Sequence, residues 1–95
     1  MNLIPMEVGR VVLSKAGHDQ GHYYVIVSVA ESPYVMIADG RVRKIQAPKK
    51  KKIKHLRVMP QYAGDIAERI ASGKQVTDAD LRHALDAIMA GAVEP

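Results

Sequence analysis

Bulky apolar residues follow a two-residue period through the first part of the chain. In residues 23–30, one set of alternate positions begins with Tyr23 and continues with valines, and the other begins with Tyr24 and Ile26. This period and the many β-branched residues predict a strand with two distinct faces. One of the two adjacent tyrosines is therefore expected in the core and the other at the surface. Similar apolar runs predict strands over residues 8–15, 34–38 and 53–58.

The pair Asp39-Gly40 lies between two short apolar segments, residues 34–38 and 41–45. Asp-Gly favours the type I′ turn of a two-residue β-hairpin, so residues 41–45 are predicted to form a fifth short strand. Pro48 then breaks the hydrogen-bonding pattern, and Pro60 is predicted to end the β region. Five short strands within about 55 residues favour a small, closed or half-closed barrel over a sandwich.

The hydrophobic period changes after residue 60. Apolar side chains recur at the spacing of one helix face, first from Ala63 to Ile70 and then from Leu81 to Ile88. Gly73 and Gly91 fit as helix ends, and Thr77 fits as the N-cap of the second helix. We therefore predict a barrel in residues 1–60 and a two-helix extension in residues 61–95. Neither helix is long enough to be stable alone, so the two regions should form one compact unit.

The charges are divided unevenly between these two regions. Residues 1–60 carry eleven basic and four acidic side chains, a net charge of +7, whereas residues 61–95 carry a net charge of −3. Such a division predicts that the barrel meets a polyanion and that the helices are accessory. The chain has no cysteine, no N-terminal signal peptide pattern and no apolar run of about 20 residues, so we expect a cytoplasmic protein that does not contact membranes.

Residues for catalysis or metal binding are sparse. No serine lies in a nucleophile elbow and no glycine-rich phosphate loop is present, so we expect no enzymatic activity. His18 and His22 flank Asp19 in a loop, but no cysteine and no third convergent ligand accompany them. The sequence therefore predicts neither a metal site nor a cofactor.

Residues 8–27 resemble the KOW motif, which consists of a strand, a loop, a glycine and a second strand. The match is clearest at Gly9, the Val11-Val12 pair, Ser14-Lys15, Gly21 and residues 25–27. Residues 37–45 and 48–56 extend the likeness to the small bacterial KOW-domain RNA-binding proteins. These proteins are similar in turn to the fourteen-e family of large-subunit ribosomal proteins. The resemblance covers most of residues 6–58.

The resemblance implies a mainly β fold, an SH3-like five-stranded barrel that binds structured RNA and has no catalytic residues. Ribosomal RNA is the expected ligand, and the expected role is ribosome-associated or related to translation. If the helices have a partner of their own, we expect a ribosomal protein. One departure bears on affinity: His18, Asp19 and His22 stand where many relatives carry Arg or Lys, which predicts weaker phosphate binding by the loop.

The predicted RNA-binding residues fall into three groups. The KOW loop contributes donors and cations, with Gly21 required for the loop geometry. The predicted hairpin and the lysine run contribute phosphate contacts, because lysines bind phosphate as mobile point charges. The residues are Lys15, His18, Gln20, Gly21 and His22 from the loop, Arg41, Arg43 and Lys44 from the hairpin, and Lys49, Lys50, Lys51, Lys52 and Lys54 from the basic run.

Three other interpretations of the same features remain open. The lysine run could be a solvated segment whose charge prevents edge-to-edge pairing of strands. The KOW region could be a protein-interaction adaptor for a ribosomal or transcription partner. A nucleoid-type DNA binder would show the same basic charge, but it would bind duplex DNA as tightly as RNA at equal salt.

Overall fold

Five antiparallel strands form one sheet in the computed structural model of the protein, which describes residues 4–92. In chain order the strands are β1 (Arg10–Ser14), β2 (Tyr23–Val29), β3 (Tyr34–Ala38), β4 (Lys49–Lys52) and β5 (Leu56–Tyr62). Their order in the sheet is β4-β3-β2-β1-β5. A 3₁₀ turn, Ile53–His55, joins β4 to β5, and two helices follow, α1 (Gly64–Ala71) and α2 (Asp78–Ala92). The mainly β fold with two C-terminal helices is thus confirmed, as a sheet with open edges at β4 and β5.

Both faces of the sheet bury apolar side chains. Val25 and Val27 of β2 belong to the cluster beneath the helices, whereas Tyr24 and Ile26 belong to a second cluster on the opposite face. The alternation predicted for residues 23–30 is therefore confirmed as far as Val27, whereas Ser28 and Val29 follow a register shift and are both exposed. Tyr24 is the core tyrosine, as expected for one of the pair, but Tyr23 is half-buried against the helix-side cluster instead of exposed.

The two helices complete the core on one face of the sheet. Ile66 of α1 and Leu81 of α2 are buried in the same cluster as Val11 and Val25, and Leu81, Val11 and Val25 are fully inaccessible to solvent. These strands would expose a wide apolar face without the helices. The helices are thus structurally integral to the core, and their predicted accessory role in RNA binding stays a prediction. Within residues 4–92, neither helix has the length and apolar character needed to cross a bilayer.

The fourth strand is the lysine run, not residues 41–45, so the predicted two-residue hairpin is wrong. Asp39 Oδ1 accepts hydrogen bonds from the backbone N–H groups of Arg41 and Arg43, each at 2.9 Å. The Asp39 and Gly40 N–H groups in turn donate to the Arg43 carbonyl, each at 3.0 Å. This local closure occupies backbone groups that a strand would need. The lysine run pairs with β3 instead, from Ile37↔Lys49 to Tyr34↔Lys52.

Strand β5 continues through Pro60 to Tyr62, so the prediction that Pro60 ends the β region is also wrong. Its pairing with β1 shifts register between Arg10 and Val12, at the irregularity opposite Pro60. A proline is tolerated on an edge strand at such an irregularity, because no hydrogen bond between the strands requires a backbone N–H group at that position. Arg10 Nη1 donates to the Pro60 carbonyl at 3.0 Å and fastens this stretch.

The start of α2 follows the sequence prediction. Thr77 Oγ1 accepts a hydrogen bond from Asp80 N at 3.1 Å, and Asp80 Oδ2 accepts one from Thr77 N at 2.9 Å. These reciprocal bonds satisfy two backbone donors at the helix start, which identifies Thr77 as the N-cap. The backbone and side-chain hydrogen bonds with Thr77 lower the pKa of Asp80. At its other end, α2 continues through Gly91, where a stop was predicted, to Ala92.

Candidate nucleic-acid interface

The KOW loop, residues 15–22, is held in place by the buried carboxylate of Asp19. Asp19 Oδ1 accepts hydrogen bonds from Ser14 Oγ at 2.8 Å and from Lys51 Nζ at 3.1 Å. Its Oδ2 accepts one from Lys49 Nζ at 3.3 Å. Lys51 also donates to the Ala16 carbonyl at 3.0 Å. The loop is therefore fastened to β4, a strand that is separated from β1 by β2 and β3 in the sheet.

This ion cluster changes the protonation behaviour of its members. Burial by itself would raise the pKa of Asp19, but the hydrogen bonds from Lys51, Ser14 and Lys49 outweigh it and hold that pKa well below its ordinary value. Burial, together with the charge of Asp19, raises the pKa of Tyr24 to about 12. Asp19 is thus a fixed negative charge that is already neutralised by two lysines inside the protein.

The lysine run has two different faces, because side chains alternate along a strand. Lys49 and Lys51 lie on the Asp19 side, and the side chain of Lys51 is only 8% exposed. Lys50 is exposed on the other face, where its Nζ lies 4.6 Å from the centre of the Tyr34 ring, and Lys52 pairs with Tyr34 in the sheet. The run does not form a uniform phosphate-binding surface, and Lys51 is its least accessible member.

Helix α2 positions the loop that carries Arg41 and Arg43. Arg82 Nη1 donates to the Gly40 carbonyl at 3.0 Å, and Asp78 Oδ1 accepts from the Ile45 N–H at 2.7 Å. An exposed ion pair of 2.7 Å joins Arg41 to Asp86. Gly40 has a φ of +79°, and a Cβ there would collide with the Asp78 carbonyl oxygen. Helix α2 thus holds the loop over residues 39–45 in place through several contacts.

A cleft of about 170 Å³ lies where the KOW loop meets the loop over residues 39–45. Its lining residues are His18, Asp19, His22, Tyr24, Val42, Arg43 and Lys49. The rings of His22 and Tyr24 are stacked, with centres 6.5 Å apart and planes inclined by 25°. The cleft therefore brings together residues of both loops and of β4 that are far apart in the sequence.

The cationic groups of this region outnumber the acidic groups that remain free. Asp19 is shared by two lysines, and Asp39 accepts from the backbone of its own loop. The guanidinium of Arg43 makes no side-chain hydrogen bond or ion pair within residues 4–92.

A larger cleft of about 330 Å³ between Asp65, Glu68, Arg69 and Lys74 has two acids and two bases, so it does not select an anion.

The other predicted site residues lie around this cleft or beyond it. The Lys15 N–H donates to the His55 carbonyl at 2.9 Å, which places the start of the KOW loop beside the 3₁₀ turn that carries Lys54. Gly21 has a φ of +90°, and a Cβ added there would meet no atom of residues 4–92 within 4 Å beyond its chain neighbours. This glycine therefore serves the backbone conformation and not close packing. Lys15, Gln20, Lys44 and Lys54 are exposed.

Several residues have a role in this region that was not predicted from the sequence. Ser14 and Asp19 organise the KOW loop through a buried hydrogen bond and the ion pair with Lys51. Asp78, Arg82 and Asp86 of α2 hold the basic loop. Their partners are more than 30 positions away, and no local pattern identifies such pairs.

No protein-family model matches the chain. Within the part of the chain that the structure describes, no three His, Asp or Glu side chains form a group suited to a metal ion.

Proposed function

We propose that the protein is a non-catalytic binder of structured RNA, with ribosomal RNA as its ligand, and that it acts in the cytoplasm on or near the ribosome. The KOW resemblance supplies the ligand class. The fold that we propose with it is an SH3-like barrel. One long-range contact supports this curvature: Lys51 Nζ, on edge strand β4, donates to the carbonyl of Ala16, which follows β1. A common apolar cluster of β1, β2, β3 and β5 residues also supports it.

The observation that carries the proposal is the convergence of basic side chains around the KOW loop. We define the KOW surface as the exposed or half-buried residues Lys15, His18, Gln20, His22, Arg43, Lys44, Lys49 and Lys54. They come from three separate segments, and the acids among them are engaged internally. A surface of this charge fits the phosphate backbone, which supplies most sequence-independent affinity. Recognition by shape and phosphate suits RNA helices, whose deep major groove hides the base edges.

The salt dependence of binding to total ribosomal RNA tests this proposal. Replacing Lys15 and Lys54 with alanine removes two exposed charges of the KOW surface. We expect affinity to fall about tenfold at low salt and the slope of log affinity against log salt to flatten by about two units, one per lost phosphate contact. Filter binding over a salt series from about 50 to 300 mM measures both quantities.

The matched control is the double variant Arg69→Ala/Lys74→Ala, which removes the same charge from α1 and the turn after it. We expect less than about a twofold change in affinity and an unchanged slope, because these residues lie outside the KOW surface. Equal effects of the two double variants would show that only net charge matters. Absence of RNA binding by the wild type would favour the protein-adaptor alternative, and equal affinity for duplex DNA would favour a DNA binder.

A further inference from the structure

The cleft beside the KOW loop differs in chemistry from the open basic surface around it. One wall is the imidazole of His22, which is exposed and stacked on Tyr24. The lining also includes Val42, which is 67% exposed although it is a bulky apolar side chain. Aromatic and apolar walls of this kind do not improve phosphate binding. They suit the flat face of a base, which stacks on rings irrespective of its identity.

The size of the cleft matches one base ring. A cavity of about 150 Å³ holds a benzene-sized molecule, and this cleft measures about 170 Å³. The cleft therefore has room for a single base ring. Bases become available singly only where RNA is unpaired, at bulges, loops and ends.

Two cationic side chains, Arg43 and Lys49, line the same cleft. Arg43 is half-buried at the cleft, makes no ion pair within residues 4–92, and acts electrostatically on the Tyr24 hydroxyl. Lys49 adds a second cation, shared with Asp19 at 3.3 Å. A guanidinium without an internal acid partner is a ready donor to phosphate oxygens.

We propose that this cleft, formed by His22, Tyr24, Val42 and Arg43, binds one unpaired nucleotide of the bound RNA, with the base against His22 and Val42 and the phosphate at Arg43. The inference rests on the proposed RNA-binding function and adds a preference for duplexes that carry a bulge. Helix α2 holds the Val42–Arg43 loop through Gly40 and Ile45, so the site is largely formed before binding. A site formed in advance reduces the free-energy cost of ordering side chains and loops when the RNA binds.

Three blunt RNA duplexes of one stem sequence test the inference with the full chain. The first is fully paired, the second carries one bulged uridine, and the third carries an abasic residue at the bulge. We expect the uridine bulge to bind about tenfold more tightly than the other two duplexes, consistent with the stacking of one base. His22→Ala should remove this preference, so that the uridine and abasic bulges bind with equal affinity. His83→Ala, a matched change of an exposed histidine on α2, should keep the preference.

Each other outcome overturns the inference in a distinguishable way. Equal affinity for the uridine and abasic bulges would mean that the bulge is recognised by its bend and not by its base. Equal affinity for all three duplexes would refute the nucleotide site while leaving RNA binding intact. A preference that survives His22→Ala would place the base elsewhere. Absence of binding to every duplex and to ribosomal RNA would overturn the proposed function as well.

Discussion

Asp19→Asn is expected to lower the free energy of unfolding by about 3 kcal/mol, because it leaves the ammonium of Lys51 buried without a counter-charge. The two side chains are 9% and 8% exposed and 3.1 Å apart. Removing one partner of a buried ion pair costs about 3–5 kcal/mol. The low end applies here because the carbonyl of Ala16 still accepts a hydrogen bond from Lys51. Urea unfolding followed by circular dichroism measures the change.

Two further variants separate the ion pair from a general effect of charge. Asp19→Asn combined with Lys51→Met removes both charges, so the double variant should be more stable than the sum of the single changes predicts. Lys50→Met changes the neighbouring lysine, which is exposed over Tyr34, and should cost less than about 1 kcal/mol. If Asp19→Asn cost no more than Lys50→Met, the loop would not depend on this cluster.

The same cluster predicts a dependence of stability on pH. The native pKa of Asp19 lies below its ordinary value of 3.8, so the unfolded chain takes up the proton first as the pH falls. The contribution of Asp19 is therefore fully present above about pH 5 and is lost below pH 3.8, toward the native pKa. The stability difference between wild type and Asp19→Asn should accordingly shrink on acidification from about pH 7 to about pH 3.

Leu81→Ala is expected to cost about 3 kcal/mol of stability. Leu81 is fully buried between α2 and the sheet, in one cluster with Val11, Val25 and Ile66. Truncating a buried leucine to alanine typically costs about 2–5 kcal/mol, from lost burial and the cavity that remains. In a domain whose total stability is about 5–15 kcal/mol, this is a large fraction. Thermal and urea unfolding should both show it.

His83→Ala is the control on the same helix, because His83 is exposed. Its effect should stay within about 0.5 kcal/mol. A small effect of Leu81→Ala, comparable to that of His83→Ala, would mean that the helical region is only loosely attached to the sheet.

The elements that depend on local pattern were predictable from the sequence. The alternating residues of β2 determined both its strand conformation and the opposite faces of Val25 and Tyr24. The N-cap at Thr77 and the apolar stripe of α2 were equally local signals. In each case, neighbouring residues a few positions apart determine the outcome.

The fourth strand was not predictable because two local signals competed. Asp39-Gly40 is a strong hairpin signal, but the Asp39 carboxylate binds the backbone of Arg41 and Arg43 and closes a wider loop. A run of four lysines has low strand propensity. It becomes β4 because Lys49 and Lys51 form ion pairs with Asp19, about 30 positions earlier in the chain, while Lys50 packs over the ring of Tyr34. Such tertiary pairings override local propensity.

The candidate site was predictable as a list of basic residues and not as an arrangement. The KOW resemblance identified Lys15, His18 and His22, and the structure brings the two histidines beside Arg43 and Lys49. It did not indicate that Lys51 is internal or that α2 fixes the second loop. Once β4 is known to be a strand, the alternation of its side chains explains why Lys51 is internal. The position of the second loop depends on contacts between residues more than 30 positions apart.

A chemical-shift map of the ¹⁵N-labelled chain titrated with the uridine-bulged duplex tests the central claim most directly. If the KOW surface binds RNA, the largest changes in amide chemical shift will fall in the KOW loop and in residues 41–45. The amide chemical shifts of α1 will remain unchanged. The shifts should reverse as salt is added, because phosphate contacts release counterions. Shifts concentrated in α1, or shifts insensitive to salt, would contradict RNA binding by the KOW surface.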